Sequence, residues 1–248
     1  MPIGLTVFFI VLTLLAFGAY KAYEWLQDEQ RLPVQNIVFT GQLHMLDSMT
    51  LEALIRDRHQ GSFFAIDVNH VHNLVEQQPW VYSASIRKRW PSSLYIHIVE
   101  QEAVARWNDD LLLNQYADSF AGKLTTDEQA DSQLPVLFGP GGSEGTALKG
   151  YQHMSSLLKN SSADHSIAQL VLSERFAWTV QLKSNITLYL GREEYIKRLQ
   201  RFIDVYPLLK EEKKAINYVD LRYDTGLAVG WGESDPTSQA ETENNINN

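Results

Sequence analysis

Residues 79–99 read Pro79-Trp80-Val81-Tyr82-Ser83-Ala84-Ser85-Ile86-Arg87-Lys88-Arg89-Trp90-Pro91-Ser92-Ser93-Leu94-Tyr95-Ile96-His97-Ile98-Val99, and their periodicity decides the fold of the first half of the chain. Pro79-Trp80 interrupts whatever precedes it. Val81–Arg87 alternates in polarity, and Leu94–Val99 does so again with Leu94, Ile96 and Ile98 in phase. A period of two puts successive side chains on opposite faces of a strand. Lys88–Ser93, between the two runs, reads as a hairpin loop.

Toward the N-terminus the period changes to that of a helix. Val68, Val71, Leu74 and Val75 form an apolar stripe up to about Gln77, with Asp67 placed as N-cap. Gly61 is a plausible stop for an earlier helix, Ser48–Arg56, carrying Met49, Leu51, Leu54 and Ile55. Phe63–Ile66 is a short apolar link. Val34–Phe39 reads as a strand closed by Thr40-Gly41, and Leu32-Pro33 ends the segment before it. The order is β-α-α-β-β over about 70 residues.

Further upstream, Pro2–Tyr20 carries no charged side chain. As a helix it would reach about 28 Å, close to the hydrocarbon thickness of a bilayer. Tyr20, Tyr23 and Trp25 follow where aromatic rings favour the interface, and Lys21 can reach back to headgroups. Glu24–Arg31 continues that helix as a polar stretch. A cleaved signal is the rival reading, but the basic n-region is missing and the apolar run is long. A buried core helix is the third. The long acidic remainder is expected to lie outside the cell membrane.

Downstream of Gln101 the texture is mostly β. Strands are expected over Ala103–Trp107, Leu111–Gln115, Leu134–Phe138, Ile167–Ser173, Phe176–Leu182, Ile186–Leu190, Ile216–Arg222 and Leu227–Trp231. Two helices interrupt them, about Ala147–Leu158 and Glu193–Leu209, the second with Tyr195, Ile196, Leu199, Phe202, Ile203 and Tyr206 as its apolar stripe. After Trp231 there is little to bury, so 233–248 is expected to be disordered.

Composition narrows the function. The 248 residues carry a formal net charge of -9, which disfavours nucleic acid as a partner. There is no cysteine, so disulfides, thiolate nucleophiles and thiolate metal sites are excluded. His70 and His72 are two apart on a helix and face different ways. Gly139–Gly145 lacks the Gly-Lys-Ser/Thr ending of a phosphate loop and reads as a flexible connection. There is no Gly-x-Ser-x-Gly elbow, and Asp109-Asp110 reads as a tight turn. No catalytic residue, metal ligand or cofactor site is therefore expected, nor a small-molecule substrate.

The β-α-α-β-β order with Gly41, Gly61, Pro79-Trp80-Val81, Arg87-Lys88-Arg89-Trp90-Pro91, Leu94 and Ile96 resembles a POTRA domain of the FtsQ/DivIB family. Glu100, Ala105-Arg106-Trp107 and Tyr218-Val219-Asp220-Leu221-Arg222-Tyr223-Asp224 extend the resemblance to about Trp231. It implies an α+β chain: an N-terminal transmembrane helix, a POTRA domain, then a mostly antiparallel β domain with two helices. The boundaries expected are 1–2 for a residual cytoplasmic arm, 3–23 for the transmembrane helix, 32–101 for the POTRA domain, 102–232 for the β domain and 233–248 for the tail. The arm is much shorter than the resemblance implies, which leaves little to carry inside-facing contacts.

The resemblance further implies a non-enzymatic, single-pass protein of the inner membrane with its bulk in the periplasm at the division septum. By the same resemblance it would join FtsB and FtsL, in a trio that recruits and regulates septal wall synthesis. Other divisome proteins would meet the POTRA domain. The last strand is the natural place for an added strand, because nothing later in sequence need cover its edge. The resemblance places the FtsB contact there, on Arg222, Tyr223, Thr225, Gly226, Gly230 and Trp231. The bland reading makes Tyr223 and Trp231 core aromatics and the glycines turn residues. Arg87, Lys88 and Arg89 are a second candidate contact, to a partner or to anionic headgroups, against the reading of a solvated loop. The alternative function is a POTRA-type chaperone or assembly factor for outer-membrane protein insertion, although too few strands follow for a lipid-facing barrel.

Overall fold

The computed structural model describes residues 2–27, 33–58, 62–124, 134–161, 165–212 and 214–232. The polar run-out at 28–31, the Gly61 stop and the tail at 233–248 lie outside the described residues. The chain divides into two compact units, Met1–Gln101 and Glu102–Asn248.

The first unit opens with helix α1, Pro2–Gln27. Within it Gly4–Trp25 is long and apolar enough to cross a membrane, and its side chains are exposed, which water would penalise and hydrocarbon would not. The remainder is β1 (Asn36–Thr40), α2 (Ser48–Arg58), α3 (Val68–Glu76), β2 (Val81–Arg89) and β3 (Ser93–Glu100). The sheet order is β1-β3-β2. β1 runs parallel to β3, from Asn36 opposite Ser93 to Thr40 opposite His97, and β2 runs antiparallel to it. The alternation of β3 explains the core: Leu94, Ile96 and Ile98 are buried and meet Leu51 and Ile55 of α2 and Val71 and Val75 of α3. Each helix has a carboxylate at its start. Asp67 accepts from the Asn69 amide at 2.9 Å, and Asp47, which the sequence pattern did not mark, accepts from the Met49 and Thr50 amides. Glu100 closes the unit by accepting from the amides of His44, Met45 and Leu46.

The hairpin corrects the sequence reading. β2 extends through Arg89 and β3 begins at Ser93, so the loop is only Trp90-Pro91-Ser92. Lys88 opposes Leu94 and Arg89 opposes Ser93 within the ladder. Long charged side chains continue a strand readily when it is an edge strand, as β2 is.

The second unit contains a nine-stranded sheet in the order β12-β11-β10-β9-β8-β7-β4-β5-β6. The strands are β4 (Ala103–Trp107), β5 (Leu111–Asn114), β6 (Ser119–Phe120), β7 (Val136–Phe138), β8 (Ile167–Leu172), β9 (Trp178–Leu182), β10 (Thr187–Gly191), β11 (Ile216–Asp220) and β12 (Ala228–Trp231). Most pairings are antiparallel; β4–β7, β7–β8 and β10–β11 are parallel. Helix α4 (Glu144–Lys159) packs on β7 and β8, and α5 (Tyr195–Glu211) packs on β10 and on α4. Their apolar stripes meet one sheet face, where Trp107, Leu170, Val180, Leu188 and Phe202 are buried. β6 is too short to show a period. Asn114 creates it by accepting from the Tyr116 and Asp118 amides and turning the chain back.

The Gly139–Gly145 stretch is not a loose connection throughout. Gly139 lies against the Trp107 ring, where a Cβ would come within 2.8 Å of the indole. Ser143 donates from Oγ to the Pro140 carbonyl at 2.6 Å, and Glu144-Gly145 already belong to α4. The glycine that reads as flexible is a packing requirement of a buried tryptophan.

Candidate partner-binding edge

β12 is the terminal strand of the larger sheet. It pairs antiparallel with β11, Val229 opposite Val219 and Ala228 opposite Asp220, and no described strand lies on its other side. An edge of this kind presents unpaired N–H and C=O groups.

The residues singled out from sequence gather around this edge but do different things. Tyr223 is 58% exposed and Trp231 is 37% exposed, so neither is a core aromatic. The Lys214 ammonium sits over the Trp231 ring, 5.9 Å from its centroid. Thr225 is exposed and Gly226 faces open space. Gly230 differs. A Cβ there would fall inside the Tyr218 ring, so the missing side chain accommodates the chain's own neighbouring strand rather than an incoming one. Tyr218 in turn meets Tyr189 edge to face at 5.8 Å.

Arg222 is also occupied from within. Its guanidinium forks onto Asp220, with Nε 2.9 Å from Oδ1 and Nη2 2.5 Å from Oδ2, and it lies over the Tyr189 ring. Asp220 is only 7% exposed. The Arg222 hydrogen bond holds its carboxyl below the usual carboxylate range, and burial opposes that only in part. Asp220 raises the Arg222 guanidinium in return.

Sequence reasoning missed the residue that shapes the turn into β12. Arg201 of α5 donates to the carbonyls of Tyr223, Gly226 and Asp224 at 2.8, 2.9 and 3.1 Å. The turn itself supplies no repeating ladder, so a planar five-donor guanidinium collects its otherwise orphaned carbonyls. Nothing local to Arg201 announces this, because the two partners are 22 or more residues apart.

The second candidate, Arg87-Lys88-Arg89, splits across β2. Arg89 stacks on Tyr95 at 5.2 Å and donates to its hydroxyl, on the face away from the helices, and Arg87 opposes Tyr95 in the ladder. Lys88 takes the other face, donating to the Phe64 carbonyl and lying over Phe63. Burial lowers the Lys88 pKa, and the Asp67 carboxylate counters this. Among the described residues no group of three or more His, Asp or Glu is placed to hold a metal.

Comparison with known proteins accounts for both units. Residues 32–101 match the POTRA domain, FtsQ-type, and residues 105–222 match Cell division protein FtsQ/DivIB, C-terminal. The chain is 34% identical over 247 residues to Cell division protein FtsQ of Escherichia coli (strain K12), covering 97% of this chain and 88% of that one. It is 38% identical over 225 residues to Cell division protein FtsQ of Shewanella oneidensis, covering 91% and 84%. It is 34% identical over 241 residues to Cell division protein FtsQ of Vibrio cholerae serotype O1, covering 97% and 91%. With both units matched and identity spread along nearly the whole chain, this protein belongs to the FtsQ/DivIB family of cell-division proteins.

Proposed function

We propose that this chain is a non-enzymatic scaffold of the division complex, anchored in the inner membrane by α1 with both folded units in the periplasm. It binds FtsB and FtsL and thereby recruits and regulates the septal wall-synthesis machinery. An FtsB-like segment adds a strand to the free edge of β12, with Tyr223 and Trp231 as side-chain anchors. The single observation that carries this reading is an open edge strand whose last residue, Trp231, is an exposed aromatic, with a second exposed aromatic, Tyr223, in the turn that leads into it. Backbone hydrogen bonds supply affinity in such strand addition, and pockets for alternate side chains supply specificity. Arg222 pairs with Asp220 and orders the start of the turn, while its side chain stays 62% exposed beside the edge as a further contact for the partner.

The test is titration of an FtsB C-terminal segment against the detergent-solubilised full chain. Trp231→Ala should weaken binding by about 2 kcal/mol, roughly 30-fold in Kd, without altering the far-ultraviolet circular dichroism. N-methylating alternate backbone amides of the segment should abolish binding, since a methylated amide cannot donate to the edge. Full affinity in both experiments would reject the strand-addition geometry.

A further inference from the structure

We propose that the Trp90-Pro91-Ser92 hairpin tip is a second membrane contact, in which Trp90 seats at the headgroup level and Arg87 and Arg89 bind anionic phospholipid headgroups. The inference is independent of the β12 edge and needs only that α1 spans the bilayer.

Three observations converge on the tip. The first is its place in the chain. The Gln35 amide donates to the Ser92 carbonyl at 3.0 Å, the Ser92 hydroxyl to the Gln35 side-chain carbonyl at 3.3 Å, and Asn36 opposes Ser93 in the parallel ladder. Arg56 fixes this junction further by donating to the carbonyls of Val34 and Gln35 at 3.0 and 3.1 Å. The hairpin tip therefore stands beside the point where β1 begins. α1 ends at Gln27 and β1 starts at Asn36, so at most about 30 Å of extended chain separates them. The sheet has two ends, and the one held on the short tether is the one with the tip.

The second observation is exposure. Trp90 is 78% exposed, equal to the most exposed large apolar side chain described outside α1. A solvated indole at a three-residue loop tip serves no core, whereas an indole at the lipid–water interface satisfies both its apolar body and its N–H.

The third is charge. The chain carries a formal net charge of -9, yet Arg87 and Arg89 flank the tip on one face and border a hollow of about 380 Å³ with Lys88 and Tyr95. A net-acidic body is repelled by an anionic surface, so a cationic tip fixes which end faces it. Each basic side chain near such a surface favours docking by about fivefold, or roughly 25-fold for the pair. The tether holds the tip close enough for weak affinities to suffice. Lys88 is excluded from the contact because it lies half-buried on the opposite face of β2, donating to the Phe64 carbonyl, whereas Arg87 and Arg89 are exposed, Arg89 keeping its bond to the Tyr95 hydroxyl on that exposed face.

The absence of cysteine makes the test clean. Ser92→Cys in the full chain, reconstituted through α1 into nanodiscs, gives a single site for a nitroxide label. Collisions of the label with a water-soluble nickel chelate should fall severalfold in nanodiscs containing one-third phosphatidylglycerol, compared with phosphatidylcholine alone. Arg87→Glu with Arg89→Glu should restore them, lowering the docked-to-free ratio by more than the roughly 25-fold expected from loss of the two positive charges alone. Trp90→Ser should reduce docking without shifting the melting temperature. If the double reversal does not fold, Arg87→Gln with Arg89→Gln serves instead. Equal nickel accessibility in the two lipids, or docking that survives loss of both arginines, overturns the proposal. So does a charge variant that leaves the label unchanged while abolishing capture of a divisome protein, which would make this a protein-binding face.

Discussion

The Arg201 guanidinium donates to the Tyr223 carbonyl at 2.8 Å and thereby ties helix α5 to the turn that delivers the edge strand. The same group reaches Asp224 and Gly226. Lysine carries the charge but lacks the fork, so Arg201→Lys should lose most of this arrangement. We expect a stability loss of about 1–2 kcal/mol, faster amide exchange across residues 223–227, and weaker binding of a strand-adding partner. Hydrogen exchange read by mass spectrometry checks it; unchanged protection would show that the turn holds itself.

Gly230 and Tyr218 are a matched pair. Gly230→Ala places a methyl inside the Tyr218 ring, so the ring must swing away or β12 must lift. Overpacking of this kind costs about 1–3 kcal/mol. Tyr218→Ala removes the obstacle, and the double mutant should be more stable than the sum of the two single effects. A urea-denaturation cycle measures that coupling; additive effects would place the strain elsewhere.

Gly150, inside helix α4, faces the Trp178 ring, and a Cβ there would lie 2.6 Å from the ring atom Cζ3. Alanine is the better helix former by about 1 kcal/mol. Packing nevertheless decides the sign, because both groups are buried and neither end is a flexible tip. Gly150→Ala should lower the melting temperature, with Trp178 fluorescence shifted toward the exposed range. A stabilised variant would contradict the close approach of α4 to the sheet.

Asp220 links stability to pH. Its folded pKa is depressed by Arg222, so its contribution is complete above the unfolded value near about 3.9 and is lost as pH falls through the lower folded value. The acid limb of the stability curve should therefore flatten in Asp220→Asn, which cannot form the charged fork. Denaturation midpoints from pH 7 down to about pH 3 test it, the prediction being a difference at pH 7 that shrinks toward acid.

The N-terminal unit was legible because its elements are local and periodic. The phase of Leu94, Ile96 and Ile98, the helical stripes ending at Ile55 and Val75, and the Asp67 cap each lie within a few residues of what they specify. Boundaries were less so: Lys88 and Arg89 look like loop residues until Leu94 and Ser93 pair with them. In the second unit the strands other than the two-residue β6 were visible but the parallel pairings were not, since which strands become neighbours depends on helices packing back across the sheet.

The sequence alone determined the apolar N-terminal helix and the β-α-α-β-β order, because length and period are properties of short windows, whereas the C-terminal candidates rested on the family resemblance and their exposure on the structure. Only the tertiary structure decided which strand forms the free edge, that Gly230 is filled by Tyr218, that Arg201 holds the turn before β12, and that the Trp90 tip stands beside the start of β1. Each of those joins atoms far apart along the chain, and such contacts are selected by the packing of the whole unit.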